Sequence, residues 1–306
     1  MWNLDNTPPA IIEAEVWSSV PPEFGQPRPS DWSTANKFGD AVASFLEGPS
    51  FDRQGNLYVT ASPFGRIFRI SPAGAWHLVT QYDGWPNGIA IHKDGRLFIA
   101  DYRRGLICMD PVNGAITPLL AHRNSESFKG LNDLTFDAQG RLYFTDQGQT
   151  GLHDPTGRVY RLDPDARLTC LLANAPSPNG IALDAEERTL FVAVTRANQV
   201  WRSPLMGDGN LSKVGALRTF FGLSGPDGMA LDKDNNLVVA HASLGCAFVL
   251  NHRGEVTHIV KSPTGSTITS LAFAPGEHWL YLTESTSGSV LRARMPKPGR
   301  PLFSHA

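Results

Sequence analysis

The sequence lacks long apolar runs and any excess of charge of one sign. Its formal net charge is −2, from 27 basic and 29 acidic side chains, which argues against a nucleic-acid-binding surface. No run of about 18 apolar residues is present, so no transmembrane helix is predicted. The opening segment MWNLDNTPPAIIEAE lacks the basic and apolar regions of a secretory signal. We therefore expect a cytoplasmic protein that binds neither nucleic acid nor membrane.

Cysteine is scarce, and several motifs of metal and serine chemistry are missing. The three cysteines, Cys108, Cys170 and Cys246, are widely spaced in strand-like runs, which favours buried thiols over a disulfide. No HxxxH or CxxC spacing is present, and no GxSxG elbow presents a serine nucleophile. Serine hydrolysis is therefore disfavoured.

Six similar segments are present, about 40 to 48 residues apart. Each begins with a polar residue and continues as small–apolar–x–apolar–polar into a turn, and four short strand patterns follow in most units. The six polar residues are Glu47, Asn87, Asn132, Asn179, Asp227 and Thr269. Four strands per repeat at this period is typical of propeller blades. We predict an all-β, six-bladed β-propeller with four antiparallel strands in each blade.

The sixth unit contains only three strand patterns, and the missing strand is predicted near the N-terminus. Residues 14–20, AEVWSSV, have the pattern of a strand, and pairing it with the last blade closes the ring and removes two exposed edges. We expect one domain over residues 1–306, with blades from about 47 to 295 and a short tail at 296–306. Pro21 to Lys37 is expected to be irregular.

The six polar residues occupy one register, which places them at the mouth of the central channel. Five of them carry carboxylate or amide oxygens. Two carboxylates in a partly buried mouth repel each other and lose hydration, and a hard divalent cation removes that penalty. Oxygen ligands favour calcium, magnesium or manganese over zinc or copper. At any single position, a polar residue that only satisfies turn backbone groups is the alternative. Thr269 is expected to be structural.

Loops after the second strand of each unit are predicted on the same face. His241 lies in one of them, as a candidate proton shuttle or a hydrogen-bonding wall residue. Asp146 is a candidate substrate contact, with a loop-capping role as the alternative. The long loop 146–158 is expected to cover part of the mouth.

The segments LEGPSFD, LNDLTFDAQGRLYFTD, PNGIALD and PDGMALD resemble the gluconolactonase/senescence-marker-protein (regucalcin) family of six-bladed propellers. The resemblance covers Glu47 to Glu284. It implies one divalent metal held by Glu47, Asn179 and Asp227. We expect calcium, with zinc, manganese, magnesium or iron as alternatives.

The resemblance also assigns residues that contact substrate. It implies that Asn132 binds substrate or water, and we expect Asn87 to line the same pocket. Where the family often has an arginine, this chain has Gly130, and the adjacent Lys129 is a candidate replacement.

The function implied by the resemblance is hydrolysis of a sugar or other small lactone. The metal would polarise the lactone carbonyl, and Asp227 is the candidate base for the attacking water, with the metal as the alternative activator. Two other functions stay open: an arylesterase or phosphotriesterase, and a non-catalytic calcium- or ligand-binding propeller. The sequence does not choose between a monomer and a small homo-oligomer.

Overall fold

The computed structural model describes residues 3–4 and 7–305. Six small sheets are arranged as a six-bladed β-propeller. The N-terminal region contributes β1 (Ala10–Glu13), β2 (Glu15–Ser19) and helix α1 (Asp31–Asn36). Blade 1 consists of β3 (Leu46–Phe51), β4 (Leu57–Ala61), β5 (Arg66–Ile70) and β6 (Trp76–Gln81), and blade 2 of β7 (Pro86–Ile91), β8 (Leu97–Asp101), β9 (Gly105–Met109) and β10 (Ile116–Leu120). A hairpin of β11 (His122–Arg123) and β12 (Glu126–Ser127) follows.

The remaining blades repeat the same order. Blade 3 consists of β13 (Leu131–Phe136), β14 (Leu142–Asp146), β15 (Gly157–Leu162) and β16 (Leu168–Ala175), and blade 4 of β17 (Pro178–Leu183), β18 (Thr189–Val194), β19 (Gln199–Pro204) and β20 (Gly215–Thr219). Blade 5 consists of β21 (Pro226–Leu231), β22 (Leu237–His241), β23 (Cys246–Leu250) and β24 (Val256–Lys261), and blade 6 of β25 (Ile268–Phe273), β26 (Trp279–Glu284) and β27 (Ser289–Arg294). Short 3-10 turns lie at Ser62–Phe64, Thr195–Ala197 and Phe303–His305.

The first strand of each blade lines the central channel and packs against its counterparts in the two neighbouring blades. The hydrophobic core lies between adjacent sheets, as where Ile99 and Ile107 of blade 2 pack with Tyr58 and Ile67 of blade 1. Apolar residues recur along the inner strands of each blade because both faces of a blade are covered by its neighbours. The predicted six-bladed propeller is confirmed.

The ring is closed by β2, which pairs antiparallel with β27 as the fourth strand of blade 6. Ser18 of β2 also contacts blade 1. Its hydroxyl donates to the Gly74 carbonyl at 2.8 Å and accepts from Trp76 Nε1 at 2.7 Å. The predicted closing strand is therefore confirmed, and it joins the last blade to the first.

Three elements of the N-terminal and connecting regions differ from the prediction. The segment Pro21 to Lys37 is not wholly irregular, because it contains α1, whose start is stabilised by a reciprocal capping box between Ser30 and Ser33. Strand β1 pairs parallel with β24 and gives blade 5 a fifth strand. The hairpin β11–β12 lies between blades 2 and 3.

The C-terminal tail crosses the end of the channel opposite the mouth. Lys297 forms an ion pair with Asp234 of blade 5, and the Arg300 guanidinium donates to backbone carbonyls of blade 4. Phe303 packs on Phe136 of blade 3 at 5.2 Å between ring centroids. A cavity of about 110 Å³ remains between the tail and the channel-lining strands.

Two further expectations concern cysteines and membrane helices. All three cysteines are free, with Cys108 and Cys246 buried and Cys170 partly buried. Among the described residues, none of the helices has the length and apolar character needed to cross a bilayer.

Candidate functional site

A cavity of about 300 Å³ lies at the mouth of the channel. Five of the six ring residues line it, namely Glu47, Asn87, Asn132, Asn179 and Asp227. Asp227 and Glu47 are only 5% and 6% exposed. The shared register predicted from the sequence therefore brings these five side chains together in one cavity. Thr269 does not line it and is fully buried.

Glycine after the ring residue allows neighbouring inner strands to approach closely. A Cβ atom at Gly48 would collide with the backbone of blade 2, and one at Gly180 would collide with the carbonyl of Asp227. Only glycine fits at these two positions. The inner strands can therefore lie close together, which places the ring residues near the axis of the channel. The glycine of each Pro–Asn–Gly or Pro–Asp–Gly triplet thus allows the inner strands of neighbouring blades to pack closely.

Hydroxyl groups of the preceding blade hold the backbone at three places in the ring. The hydrogen bonds run from Thr60 Oγ1 to the Asn87 carbonyl at 2.8 Å, from Thr145 Oγ1 to the Asn179 carbonyl at 2.8 Å, and from Thr269 Oγ1 to the Leu46 carbonyl at 2.7 Å. Each satisfies a buried carbonyl beside the channel. Thr269 therefore has a structural role, as expected.

The two ring carboxyl groups are buried near other acidic groups, which disfavours their charged forms. Burial raises the pKa of Glu47 well above its usual value, and repulsion from Asp227 and Asp133 adds to this effect. Burial and repulsion from Asp133 likewise raise the pKa of Asp227, while the Asn179 amide acts in the opposite direction. Such a pair favours either protons or a cation.

Asp133 is a third acidic residue, close enough to act on the two ring carboxyl groups, and the sequence pattern of ring residues does not include it. It lines the cavity between the tail and the channel-lining strands, not the cavity at the mouth. Its carboxylate accepts hydrogen bonds from the backbone N–H groups of Leu134 at 2.9 Å and Ile181 at 3.2 Å. Burial raises its pKa to about 6. Four other units have glycine at this register and Asp133 replaces it, so comparison of the residue after each ring position would have identified it.

The donor set fits a hard divalent cation. Asp227 Oδ1 is buried and has no hydrogen-bond partner among the described residues, although a buried carboxylate oxygen normally has one. The nearby donors of Glu47 and Asn179 are oxygens. Among the same residues, no three His, Cys, Asp or Glu side chains form a metal-binding group. Any cation here would therefore depend on amide oxygen as well as carboxylate, which suits calcium better than zinc.

The walls of the cavity are aromatic on one side and basic on another. Trp85 and Tyr102 of blade 2 lie with ring centroids 5.8 Å apart and line the cavity. Lys37, directly after α1, and Arg196 of blade 4 also line it. The Asn132 amide nitrogen donates to Gln147 Oε1 at 2.8 Å, so the start of the loop after β14 helps orient a ring residue.

Three predicted contact residues lie outside the cavity lining. Lys129 is exposed at the surface. Asp146 is fully buried, and its Oδ1 accepts from the Gly130 N–H at 2.9 Å. His241 is buried against Phe220 and Phe248, and burial lowers its pKa to about 4. None of the three lines this cavity.

Comparison with known proteins identifies the family of this chain. Residues 45–286 match the SMP-30/gluconolactonase/LRE-like region. The chain belongs to this family. It is 35% identical over 222 residues to lactonase drp35 of Staphylococcus epidermidis, covering 68% of this chain and 67% of that protein.

Solved structures show the same fold at low sequence identity. A gluconolactonase from Xanthomonas campestris matches with a TM-score of 0.74 and 22% identity, over 92% of this chain and 99% of the other. A regucalcin from Agrobacterium tumefaciens, described as calcium-binding, matches with a TM-score of 0.75 and 19% identity, over 96% of this chain and 99% of the other. The family's fold is therefore shared over almost the whole chain.

Proposed function

We propose that the protein is a metal-dependent lactonase that opens the ring of a sugar or small aliphatic lactone. The observation that carries the proposal is the buried, unpartnered Oδ1 of Asp227, a residue that lines the same cavity as Glu47 and Asn179. Membership of the gluconolactonase-like family and the lactonase relative support the same function.

Glu47, Asn179 and Asp227 would hold the cation, with calcium as our proposed metal. When bound, a divalent cation supplies Lewis-acid stabilisation of the negative charge that develops on the lactone carbonyl oxygen. Asp133 lies close enough to both ring carboxyl groups to raise their pKa values. Its charge therefore increases the attraction of the site for a cation.

Asp227 is the proposed general base. It takes a proton from water as the water oxygen bonds to the lactone carbonyl carbon, and the ring C–O bond then breaks. The departing alkoxide takes that proton back from the Asp227 carboxyl group, which returns to its carboxylate form, and the product is a hydroxy acid. Burial and repulsion from Asp133 raise the pKa of Asp227, whereas a bound cation would lower it, so activation of the water by the cation is the alternative to Asp227 as base. Asn132, oriented by Gln147, positions water or substrate, and Asn87 forms part of the wall.

The proposal is tested with a pH-indicator assay on a panel of sugar and aliphatic lactones with added metal. We expect the wild type to open at least one lactone. Glu47→Gln and Asp227→Asn should each lower kcat/KM by about a hundredfold or more, since each removes a charge from the reacting centre. Asp208→Asn, an isosteric change at an exposed loop of blade 4, is the matched control and should retain activity.

Other outcomes select the remaining candidates. Faster turnover of aryl esters or organophosphates than of any lactone would select the arylesterase or phosphotriesterase function. Stoichiometric metal binding without turnover of any substrate would select a calcium-binding propeller. Full activity of both ligand variants would contradict the proposed site.

A further inference from the structure

Two basic side chains at the mouth have no anionic partner in contact. Lys37 and Arg196 both line the cavity, and neither forms an ion pair with any described residue. Some other basic residues of the chain do form ion pairs. Arg103 pairs with Asp83 at 3.0 Å, and Arg161 pairs with Asp163 at 2.7 Å.

The two cations are held toward the cavity by the local fold. The backbone N–H of Lys37 donates to the Ser33 carbonyl at the end of α1, at 2.7 Å, and the ammonium lies 5.1 Å from the centroid of the Phe45 ring. Arg196 follows Thr195, whose hydroxyl donates to the Pro226 carbonyl at 2.8 Å. Both side chains therefore extend from anchored backbone.

Two like charges in one partly buried cavity repel each other, and the carboxyl groups of Glu47 and Asp227 in the same cavity form no ion pair with either of them. Burial lowers the pKa of Lys37, and repulsion from Arg196 lowers it further. Arg196 also lowers the pKa of Asp227, so the charge of Arg196 partly offsets the charge of that ring carboxyl group. That effect does not account for Lys37, which is brought to the mouth by a helix outside the blades.

We propose that Lys37 and Arg196 bind an anionic substituent of the lactone, a carboxylate or a phosphate. This inference rests on the proposed lactonase function and specifies its substrate class. A guanidinium binds either anion through two parallel hydrogen bonds, and an ammonium adds a mobile point charge. The cavity of about 300 Å³ is at the lower end of the size of small-ligand sites, as expected for one sugar acid. Trp85 and Tyr102 supply an aromatic wall for the sugar ring.

The test compares three lactones that share one sugar skeleton. Glucono-γ-lactone is neutral, glucarate γ-monolactone carries a carboxylate at the far carbon, and phosphogluconolactone carries a phosphate there. We expect the wild type to prefer at least one charged lactone, with a preference that weakens as salt is added. Which charged lactone is preferred identifies the anion.

Site variants and matched controls then locate the preference. Lys37→Gln and Arg196→Gln should each lower the ratio of kcat/KM for the charged lactone to kcat/KM for the neutral lactone about tenfold, mainly by raising KM for the charged lactone. A change of about tenfold is the size expected for the loss of one charge-assisted hydrogen bond. The controls are Lys213→Gln and Arg202→Gln, both exposed on blade 4, and they should leave the ratio unchanged.

Two negative results are distinguishable. If the neutral lactone is opened as well as the charged ones, or the site variants lower all rates equally, the inference is overturned while the lactonase function stands. If the protein opens none of the three lactones nor any other on the panel, the proposed function fails and this inference fails with it.

Discussion

At the scale of single residues, the account depends on carboxyl groups that are buried close together. Glu47 and Asp227 have raised pKa values, and Asp133 has a pKa of about 6. A carboxyl group whose pKa is higher in the folded chain than in the unfolded chain stabilises the fold while protonated. That stabilisation is lost as the pH rises through the folded pKa.

We therefore expect chelator-treated protein to lose thermal stability as the pH is raised from about 4 through about 6, at about 1.4 kcal/mol per unit of pKa shift for each group. The melting temperature, followed by circular dichroism over this range, measures the effect. Glu47→Gln should flatten the slope, and the exposed control Asp208→Asn should not. A melting temperature in chelator that rises over the same range would contradict the electrostatic argument.

A bound cation should reverse this dependence. Protons and metal compete for the same oxygens, so metal affinity is expected to rise with pH over the window in which these carboxyl groups ionise. Calorimetric titration of calcium at about pH 5 and about pH 8 checks this. Equal affinity at both values would show that the ring carboxyl groups are not the ligands.

At the scale of strands, close approach of inner strands positions the ring residues. In Gly180→Ala, the added Cβ collides with the Asp227 carbonyl. We expect a loss of about 2 kcal/mol in the free energy of unfolding, typical of overpacking, together with weaker metal binding. Gly215→Ala is the control, because Gly215 begins the outer strand β20 of the same blade and has open space around it. Urea denaturation of both variants gives the comparison, and equal stability would contradict the packing argument.

The repeated register explains why most elements were predictable. Each inner strand carries the same pattern of small and apolar residues, so strand type, blade number and the ring at the mouth follow from the sequence alone. Asp133 lies one residue after the ring position, so the pattern of ring residues does not include it. The difference at that register, aspartate where four units have glycine, was visible in the sequence.

Elements without a repeat were not predictable in the same way. Helix α1 has only six residues, and its capping box uses Ser33 in place of the usual glutamate or glutamine. Strand β1 pairs in parallel with β24, in a register that matches Ala10 with His258. Pairing over such a separation leaves no local pattern. Lys37 and Arg196 come together only through the fold, so no spacing in the sequence identifies them.

At the scale of the whole molecule, the N- and C-terminal segments contact different parts of the propeller. β2 joins blades 6 and 1, and the tail crosses the far end of the channel. Phe303→Ala removes a ring that packs on Phe136 and His92. We expect a loss of about 2 kcal/mol in unfolding free energy with little change in kcat/KM, because the tail lies away from the mouth.

Leu302→Ala is the control for the tail. Because Leu302 is 40% exposed, this substitution should lower the free energy of unfolding less than Phe303→Ala does. A single cooperative urea transition in both variants is expected from the prediction of one domain over residues 1–306. Increased lactone turnover in Phe303→Ala would instead indicate that the tail restrains the site.

The central claim is that ring oxygens hold a divalent cation on which lactone opening depends. The most direct measurement is the rate of lactone opening by protein stripped with chelator and then titrated with calcium. We predict negligible activity in the stripped protein and full recovery at about one equivalent of metal, with no recovery in Asp227→Asn. Undiminished activity in the stripped protein would contradict the account.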